Sequence, residues 1–495
     1  MGPPARAAAG QEDRRGIRIV GESGEHGVAQ ALRDRDVLVA GAGVSGRSAA
    51  EALLAAGARV TLTDASEERL AELASLRAEG AELVPGLAEP PAGTDLVVTS
   101  PGWRPGVPLL AAAEAAGVEV IGEVELAWWL DRQRPEPAEW LAVTGTNGKT
   151  TTVGMLESVL RAAGADAVAC GNVGLPVVDA VRAGHRVLAV ELSSFQLHWS
   201  RSLAAHAGVV LNLADDHLDW HGSMDAYGAA KAKVYAGNAV AVHNADDEWS
   251  AKLAGGTRRA VSFTLSEPGA GQLGISGGAL VDRAFGGVGD AFGEDVRLAS
   301  IADVHPAGPH NQANALAAAA LARAHGVEPD AVSRGLREFE PGAHRSVVIA
   351  EAAGVTYVDD SKATNPHAAD AALRAHPRVV WIAGGLLKDA DVTDVVARNA
   401  ERLDAVVLIG RDRGKFADAL ARHAPRVPIE QVAAGDDAGM AQAVQLAAGH
   451  ARPGAAVLLA PAAASMDMFT DYAHRGRAFA DAVRALPAVA TTTGG

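Results

Sequence analysis

From Asp36 onward the chain repeats one pattern: a short apolar run ends in a glycine-bearing loop, and an alanine-rich stretch of helical composition follows. DVLVAGAGVSG (36–46), SAAEALLAAG (48–57) and RVTLTD (59–64) read as strand, helix and strand. DLVVTSPG (95–102) repeats the strand-to-loop step before a helical stretch at 108–116, and DRQRPEPAE (131–139), with its prolines and charges, reads as a linker. A second unit opens with WLAVTGTNGKT (140–150) and a helix to about Ala163, then supplies runs at 186–191, 207–212 and 239–244. The glycine-rich stretch 264–300 reads as hairpins or loops, and HNQANALAAAALARAHG (310–326) as a helix. After a break at PGAHRS (341–346), a third unit supplies GVTYVDD (354–360), RVVWIAGG (378–385), DAVVLIG (404–410) and GAAVLLAP (454–461) between further helices. Strand–helix alternation in all three units predicts an α/β chain of three domains, each an open, mostly parallel sheet with helices on both faces.

Composition narrows the functional classes. The 495 residues are 48% apolar and 21% charged, as expected of a folded chain and unlike a disordered one. Sixty acidic side chains against 44 basic ones give a net charge of −16, which argues against nucleic acid or an anionic membrane surface as partner. An anionic ligand must therefore be held locally. No uncharged apolar run reaches the length of a membrane span and the first residues lack a signal-peptide core, so a cytoplasmic protein without membrane insertion is expected. The single cysteine, Cys170, excludes a disulfide framework or a thiolate cluster. Only seven lysines occur, leaving 37 of the 44 basic residues as arginine. Where lysine persists, a compact or reactive amine is suspected.

Thr144-Gly145-Thr146-Asn147-Gly148-Lys149-Thr150 follows an apolar strand and opens a helix. Glycines there let backbone N–H groups curl round phosphate oxygens, Lys149 can reach the terminal phosphates and Thr150 can ligate magnesium. The match is incomplete, because Val143 stands where the usual pattern has its first glycine. Glu191 ends the next strand, where a carboxylate can hold Mg²⁺ against the nucleotide. Asp215, Asp216 and His217 lie beyond the following strand. His217 and His221 have zinc-helix spacing, but Leu218 replaces the glutamate that a zinc hydrolase needs, so His217 reads better as a magnesium-shell or substrate ligand. GAGVSG (41–46), with Asp64 at the end of the next strand, fits a dinucleotide fingerprint, though the same turn receives any diphosphate; NAD and a nucleotide sugar remain open. Asp359-Asp360-Ser361-Lys362-Ala363-Thr364-Asn365-Pro366, Lys388 and Ser465 each follow a strand of the third unit. Their convergence at one sheet edge suits a small carboxylated substrate.

TGTNGKTT (144–151), ELSSFQL (191–197), NLADDHLDWHG (212–222), HNQANALAA (310–318), HR (344–345) and DDSKATNP (359–366), in this order, resemble the Mur ligases of peptidoglycan synthesis. The resemblance spans about residues 36–485 and implies a Rossmann-like domain for a uridine nucleotide at 36–136 after an extension at 1–35. It implies a central phosphate-loop domain at 137–342 and a Rossmann-like amino-acid domain at 343–495. The implied reaction uses ATP to convert an acceptor carboxylate into an acyl phosphate, from which the amino group of an amino acid then displaces phosphate. Within the family, the branch using UDP-N-acetylmuramoyl-L-alanine and D-glutamate is most similar. A monomer with one or two Mg²⁺ ions and small-molecule partners only is implied.

Carried over by position, the resemblance assigns ATP to Gly145, Thr146, Asn147, Gly148, Lys149, Thr150, Thr151, Asn311, Asn314, Arg345 and Asp360. Lys149, Glu191, His217, Lys231 and Lys362 take catalytic roles, with Lys231, as a carbamate, joining Thr150, Glu191 and His217 around the metal. Val44, Ser45, Asp64, Gly102, Asn172 and His217 fall to the uridine substrate, and Thr364, Lys388, Ser465 and Tyr472 to the amino acid. Leu386 and Leu387, and a tyrosine at 472, depart from the family pattern and leave the finer form of that last site open.

Overall fold

The computed structural model describes residues 32–237, 239–286, 295–388, 390–433 and 435–490. The extension read at 1–35 thus falls, except for its last four residues, outside the described residues. Three sheets carry the chain. The first comprises β1 (Asp36–Ala40), β2 (Arg59–Asp64), β3 (Glu82–Pro85), β4 (Leu96–Thr99) and β5 (Glu119–Gly122), in the order β3-β2-β1-β4-β5 and parallel throughout. Its order reverses beside β1, so the loop after β1 sits at the switch point where such sheets take ligands.

The second sheet contains β6 (Glu139–Thr144), β7 (Ala167–Gly171), β8 (Val187–Glu191), β9 (Ala207–Val210), β10 (Val240–Asn244), β11 (Ala260–Phe263), β12 (Gln272–Ser276), β13 (Ala279–Asp282) and β14 (Val296–Ser300). They run in the order β14-β13-β12-β11-β10-β9-β6-β8-β7. The third contains β15 (Val347–Ala352), β16 (Val355–Asp359), β17 (Val379–Gly384), β18 (Leu403–Ile409), β19 (Ile429–Gln431) and β20 (Ala456–Leu459), ordered β15-β16-β20-β17-β18-β19. Two edges are antiparallel: β12, β13 and β14, within the stretch read as hairpins or loops, and β15 with β16. For β12 with β13 and for β15 with β16 the reason is local. Gly277-Gly278 and Ala353-Gly354 each put two successive residues at positive φ (54° and 71°, 51° and 74°), the backbone of a tight hairpin.

By its contacts the chain divides into two units, one made of residues 1–138, 170–186 and 194–203, the other of 139–169, 187–193 and 204–495. In the first, the stretch read as a linker is firmly held. Asp131 is fully buried and takes Arg134 and the amide of Ala138. Buried Glu125 likewise accepts the amides of Arg201 and Ser202.

In the second unit, the helix Lys149–Ala162 packs against helices Pro309–Ala324 and Pro329–Glu338. The middle of Pro309–Ala324 is a run of alanines and leucines, and residues 314–323 are all buried, as expected of a helix apolar on every side. Each leucine so buried contributes on the order of 2 kcal/mol. Arg323 near the helix end donates to Asp282 of β13 at 3.0 Å and to the Val327 carbonyl at 2.7 Å, so its charge is buried but paired. This fixed rod sets the position of Asn311 and Asn314 in its first turns.

Candidate functional site

The second unit's site lies at the carboxyl ends of β6, β8 and β9. Parallel register puts Val143 beside Glu191 and Thr144 beside Val210, so the loops after these strands must converge. The turn after β6 needs glycine at two positions. Gly145 has φ 153° and Gly148 has φ 85°; a Cβ on Gly148 would stand 2.4 Å from Asn314 Oδ1. Gly148 is also the N-cap of the helix Lys149–Ala162 and has no side-chain cap, which leaves the helix's first N–H groups for an anion. Asn212 holds the loop's shape, accepting the Asn147 amide on its Oδ1 at 2.9 Å and donating its Nδ2 to the Asn147 carbonyl at 3.2 Å.

Two lysines converge on this turn. Lys149 Nζ folds back onto the carbonyls of Gly145 and Thr146 at 3.0 and 2.9 Å. Lys231, 1% exposed, donates to the Gly145 carbonyl at 2.8 Å and lies 4.6 Å from the centre of the Tyr227 ring. Burial lowers the pKa of both, and Lys149's charge lowers Lys231 further, well below the usual lysine range; Asp216 and Glu191 pull the other way. Tyr227 completes the cradle, its hydroxyl 3.2 Å from Thr146 Oγ1, and burial raises its own pKa.

Thr150 Oγ1 donates to Glu191 Oε2 at 2.6 Å, so a hydroxyl and a carboxylate stand together at the start of the helix. These are hard oxygen donors of the kind Mg²⁺ takes. Among the described residues, no group of three or more His, Cys, Asp or Glu is placed to hold a metal. An ion here would draw the rest of its shell from other oxygens, such as water or phosphate. His217 approaches Asp216 at 3.4 Å and has its pKa lowered, first by burial. The zinc-helix spacing does not survive folding: His217 is the left-handed N-cap, φ 55°, of a helix covering only Leu218–His221.

Beside the turn is a cleft of about 310 Å³ whose lining includes Asn147, Gly148, Asn311, Asn314, Arg345 and Asp360. Its size suits a nucleoside. Asn314 Nδ2 donates to Asn311 Oδ1 at 3.2 Å. Asp360 accepts the Ser346 amide at 3.2 Å and is pushed up to about 7 by burial; burial and the charge of Arg345 bring Lys362 down to about 8. Lys362 Nζ rests 3.8 Å from the centre of the Tyr472 ring. The loops after β16, β17 and β20 are knitted together by backbone bonds, Ala462 to Ala363 and Leu386 to Ala464 in both directions. Thr364, exposed Lys388 and buried Ser465 thus stand on adjoining loops.

The first unit carries a separate turn. Asp64 accepts the amides of Ala42 at 2.8 Å and Ser66 at 2.9 Å, tying the glycine loop to the end of β2. Val44 and Ser45 open the helix Val44–Ala55, and Val44 is 70% exposed. Gly102 and Asn172 are also exposed in this unit. Sequence reasoning left Tyr227 and Asn212 out of the candidate site. Tyr227 had a signal, since it lies one helical turn before Lys231 on Met224–Ala232; Asn212 lay unmarked inside a quoted motif.

Three family descriptions match the chain: the Mur ligase MurD-like, N-terminal domain at 35–122, the Mur ligase middle domain at 143–322, and the Mur ligase, glutamate ligase domain at 344–463. A protein of Thermobifida fusca named UDP-N-acetylmuramoylalanine--D-glutamate ligase is 56% identical over 92% of this chain and 99% of its own length. One of the same name from Nocardia farcinica is 53% identical over 92% and 97%. Among solved structures, MurF from Acinetobacter baumannii has TM-score 0.57 at 20% identity, covering 86% of this chain and 90% of its own. MurC from Thermotoga maritima has 0.55 at 20% identity, covering 91% and 99%. These two share the three-domain α/β fold. With all three domain descriptions matched in order and relatives above half identity over nearly their whole length, the chain belongs to the Mur ligase family.

Proposed function

We propose that this protein joins D-glutamate to UDP-N-acetylmuramoyl-L-alanine at the expense of ATP, in cell-wall peptidoglycan synthesis in the cytoplasm, acting as a monomer. The observation that carries the reading is the turn 145–150, where Lys149, an uncapped helix start and the Thr150–Glu191 pair meet beside a nucleoside-sized cleft. ATP supplies the γ-phosphoryl group that turns the acceptor carboxylate into an acyl phosphate, leaving ADP, and the amino group of D-glutamate attacks the acyl carbon and displaces phosphate to form the amide. Lys149 exchanges its loop carbonyls for the terminal phosphates and screens the charge that spreads over them in transfer. Gly145, Thr146, Asn147, Gly148 and Thr151 line the phosphates, Asn311 and Asn314 the base, and Arg345 and Asp360 the rest of the nucleotide. Thr150, Glu191 and His217 hold magnesium, one or two ions, which offsets phosphate charge. Lys362 contacts the transferring phosphate.

Val44, Ser45, Asp64, Gly102 and Asn172 bind the uridine substrate, and Thr364, Lys388, Ser465 and Tyr472 the amino acid. No helix among the described residues is long and apolar enough to cross a membrane. Lys231 supports two readings. Its depressed pKa favours a neutral amine able to add CO₂ and become a carboxylate-like metal ligand. Its 2.8 Å bond to the Gly145 carbonyl favours a brace for the turn. Phosphate release measured with a panel of amino acids and acceptors tests the proposal: release confined to D-glutamate with UDP-N-acetylmuramoyl-L-alanine is expected. Release with a different pair points to a sister ligase, and NAD(P)H binding without ATP turnover to an oxidoreductase.

A further inference from the structure

Arg475 is 0% exposed, among the largest fully buried side chains of the protein. Its guanidinium meets oxygens rather than a carboxylate: Nε donates to Ser361 Oγ at 3.0 Å, Nη2 to the Ser361 carbonyl at 2.9 Å, and Nη1 to the Ala463 carbonyl at 3.1 Å. Burying a guanidinium for neutral acceptors is costly. The cost is visible in its pKa, brought down by burial to about 10 although Asp467 and Asp359 pull it up. An apolar side chain would fill the space more cheaply, so the fork is better explained by what it connects.

It connects two chemistry-bearing loops. Ser361 lies between Asp360 and Lys362, and Ala463 lies two residues before Ser465. The same helix start adds two more contacts to this segment: Ser361 Oγ donates to the Tyr472 carbonyl at 2.8 Å, and the Tyr472 ring lies against Lys362 Nζ. The first turn of the helix Tyr472–Arg484 is thus a mount for Lys362, with Arg475 as its fixed point.

We infer that Arg475 is a positioning residue: it sets the loop carrying Asp360 and Lys362 against the loop carrying Ser465, and so aligns the nucleotide end of the site with the amino-acid end. The inference rests on the functions proposed above for those loops. A planar fork suits the site because Nε, Nη1 and Nη2, spread over one rigid plane, each take a different acceptor, whereas an ammonium carries all its donors on a single nitrogen.

The test uses the full-length protein with Arg475→Lys, Ser361→Ala and the double variant. Lysine keeps the charge but loses most of the fork, so KM for ATP and for D-glutamate should rise roughly tenfold or more, while KM for the uridine acceptor stays within twofold. Ser361→Ala should give a smaller rise of the same kind, and the double variant should fall short of the sum of the two, because both remove the same Arg475–Oγ bond and only Ser361→Ala also loses the bond to Tyr472. Amide exchange in the nucleotide-free protein should quicken at 360–364 and 462–465 in both single variants. Equal loss across all three substrates, or unchanged KM values with unchanged exchange, overturns the inference. Because exchange reads the clamp without any substrate, a wild-type protein lacking ATP-dependent turnover sinks the proposed function while still deciding whether Arg475 holds the loops.

Discussion

Two turns in this protein share one backbone plan and differ in charge. After β1 and after β6 a buried strand runs into glycines and then a helix, and both helices begin at a glycine N-cap without a side-chain cap. The turn after β1 is tied by a carboxylate on an amide, Asp64 on Ala42, whereas the turn after β6 is tied by a lysine amine on a carbonyl, Lys231 on Gly145, both at 2.8 Å. The helix after the first opens with Val44 and Ser45, that after the second with Lys149 and Thr150. Strand–turn–helix geometry makes a place for phosphate; only the second turn carries the cation and the hydroxyl–carboxylate pair that phosphoryl transfer demands. On the function proposed above, the first turn holds a substrate and the second also activates one.

Removing the cation should break this contrast most severely. Lys149→Ala is expected to lower turnover on the order of 10³-fold at saturating ATP, measured as phosphate release; near-normal turnover would deprive the second turn of its assigned chemistry. Next is Lys231→Ala, with a loss of roughly 10–100-fold. Partial recovery on adding short carboxylates supports the carbamate, and recovery by none supports the brace.

Gly148→Ala should raise KM for ATP roughly tenfold, because φ 85° strains alanine and its Cβ meets Asn314 Oδ1 at 2.4 Å. A smaller and selective effect is expected at the first turn. Asp64→Ala frees two amides and should weaken the uridine acceptor severalfold while ATP binding by calorimetry stays unchanged; weakened ATP binding would mean the turns do not divide the substrates. Smallest is Gly43→Ala. With φ −77° and nothing within 4 Å of a Cβ, it should shift Tm by no more than about a degree or two.

Much of this was legible from residue order. Apolar runs located most of the parallel strands of all three sheets, since a strand covered on both faces must be apolar nearly throughout, but β3, β5, β7, β11, β15 and β19 went unread. The turn at 144–150 declared itself because glycine, lysine and threonine at that spacing have few other uses. The antiparallel edges were less legible, since Gly277-Gly278 lies in a stretch that read equally as hairpins or loops and Ala353-Gly354 is a short signal at the start of a run read as a strand. The pairing of His217 with His221 misled, because spacing along a helix means nothing where the first member is a left-handed cap.

The sequence by itself determined the α/β class, the order of the units and the phosphate turn, all of which depend on neighbours within about fifteen residues. The tertiary structure decided which distant groups share a site. Thr150 meets Glu191 across 41 residues, Lys231 reaches Gly145 across 86, and Arg475 reaches Ser361 across 114. Those meetings follow from strand register and helix packing, and so do the pKa shifts of Lys231, Asp360 and Lys362. Burial and the charge of remote neighbours cause them, and neither can be read from adjacent residues.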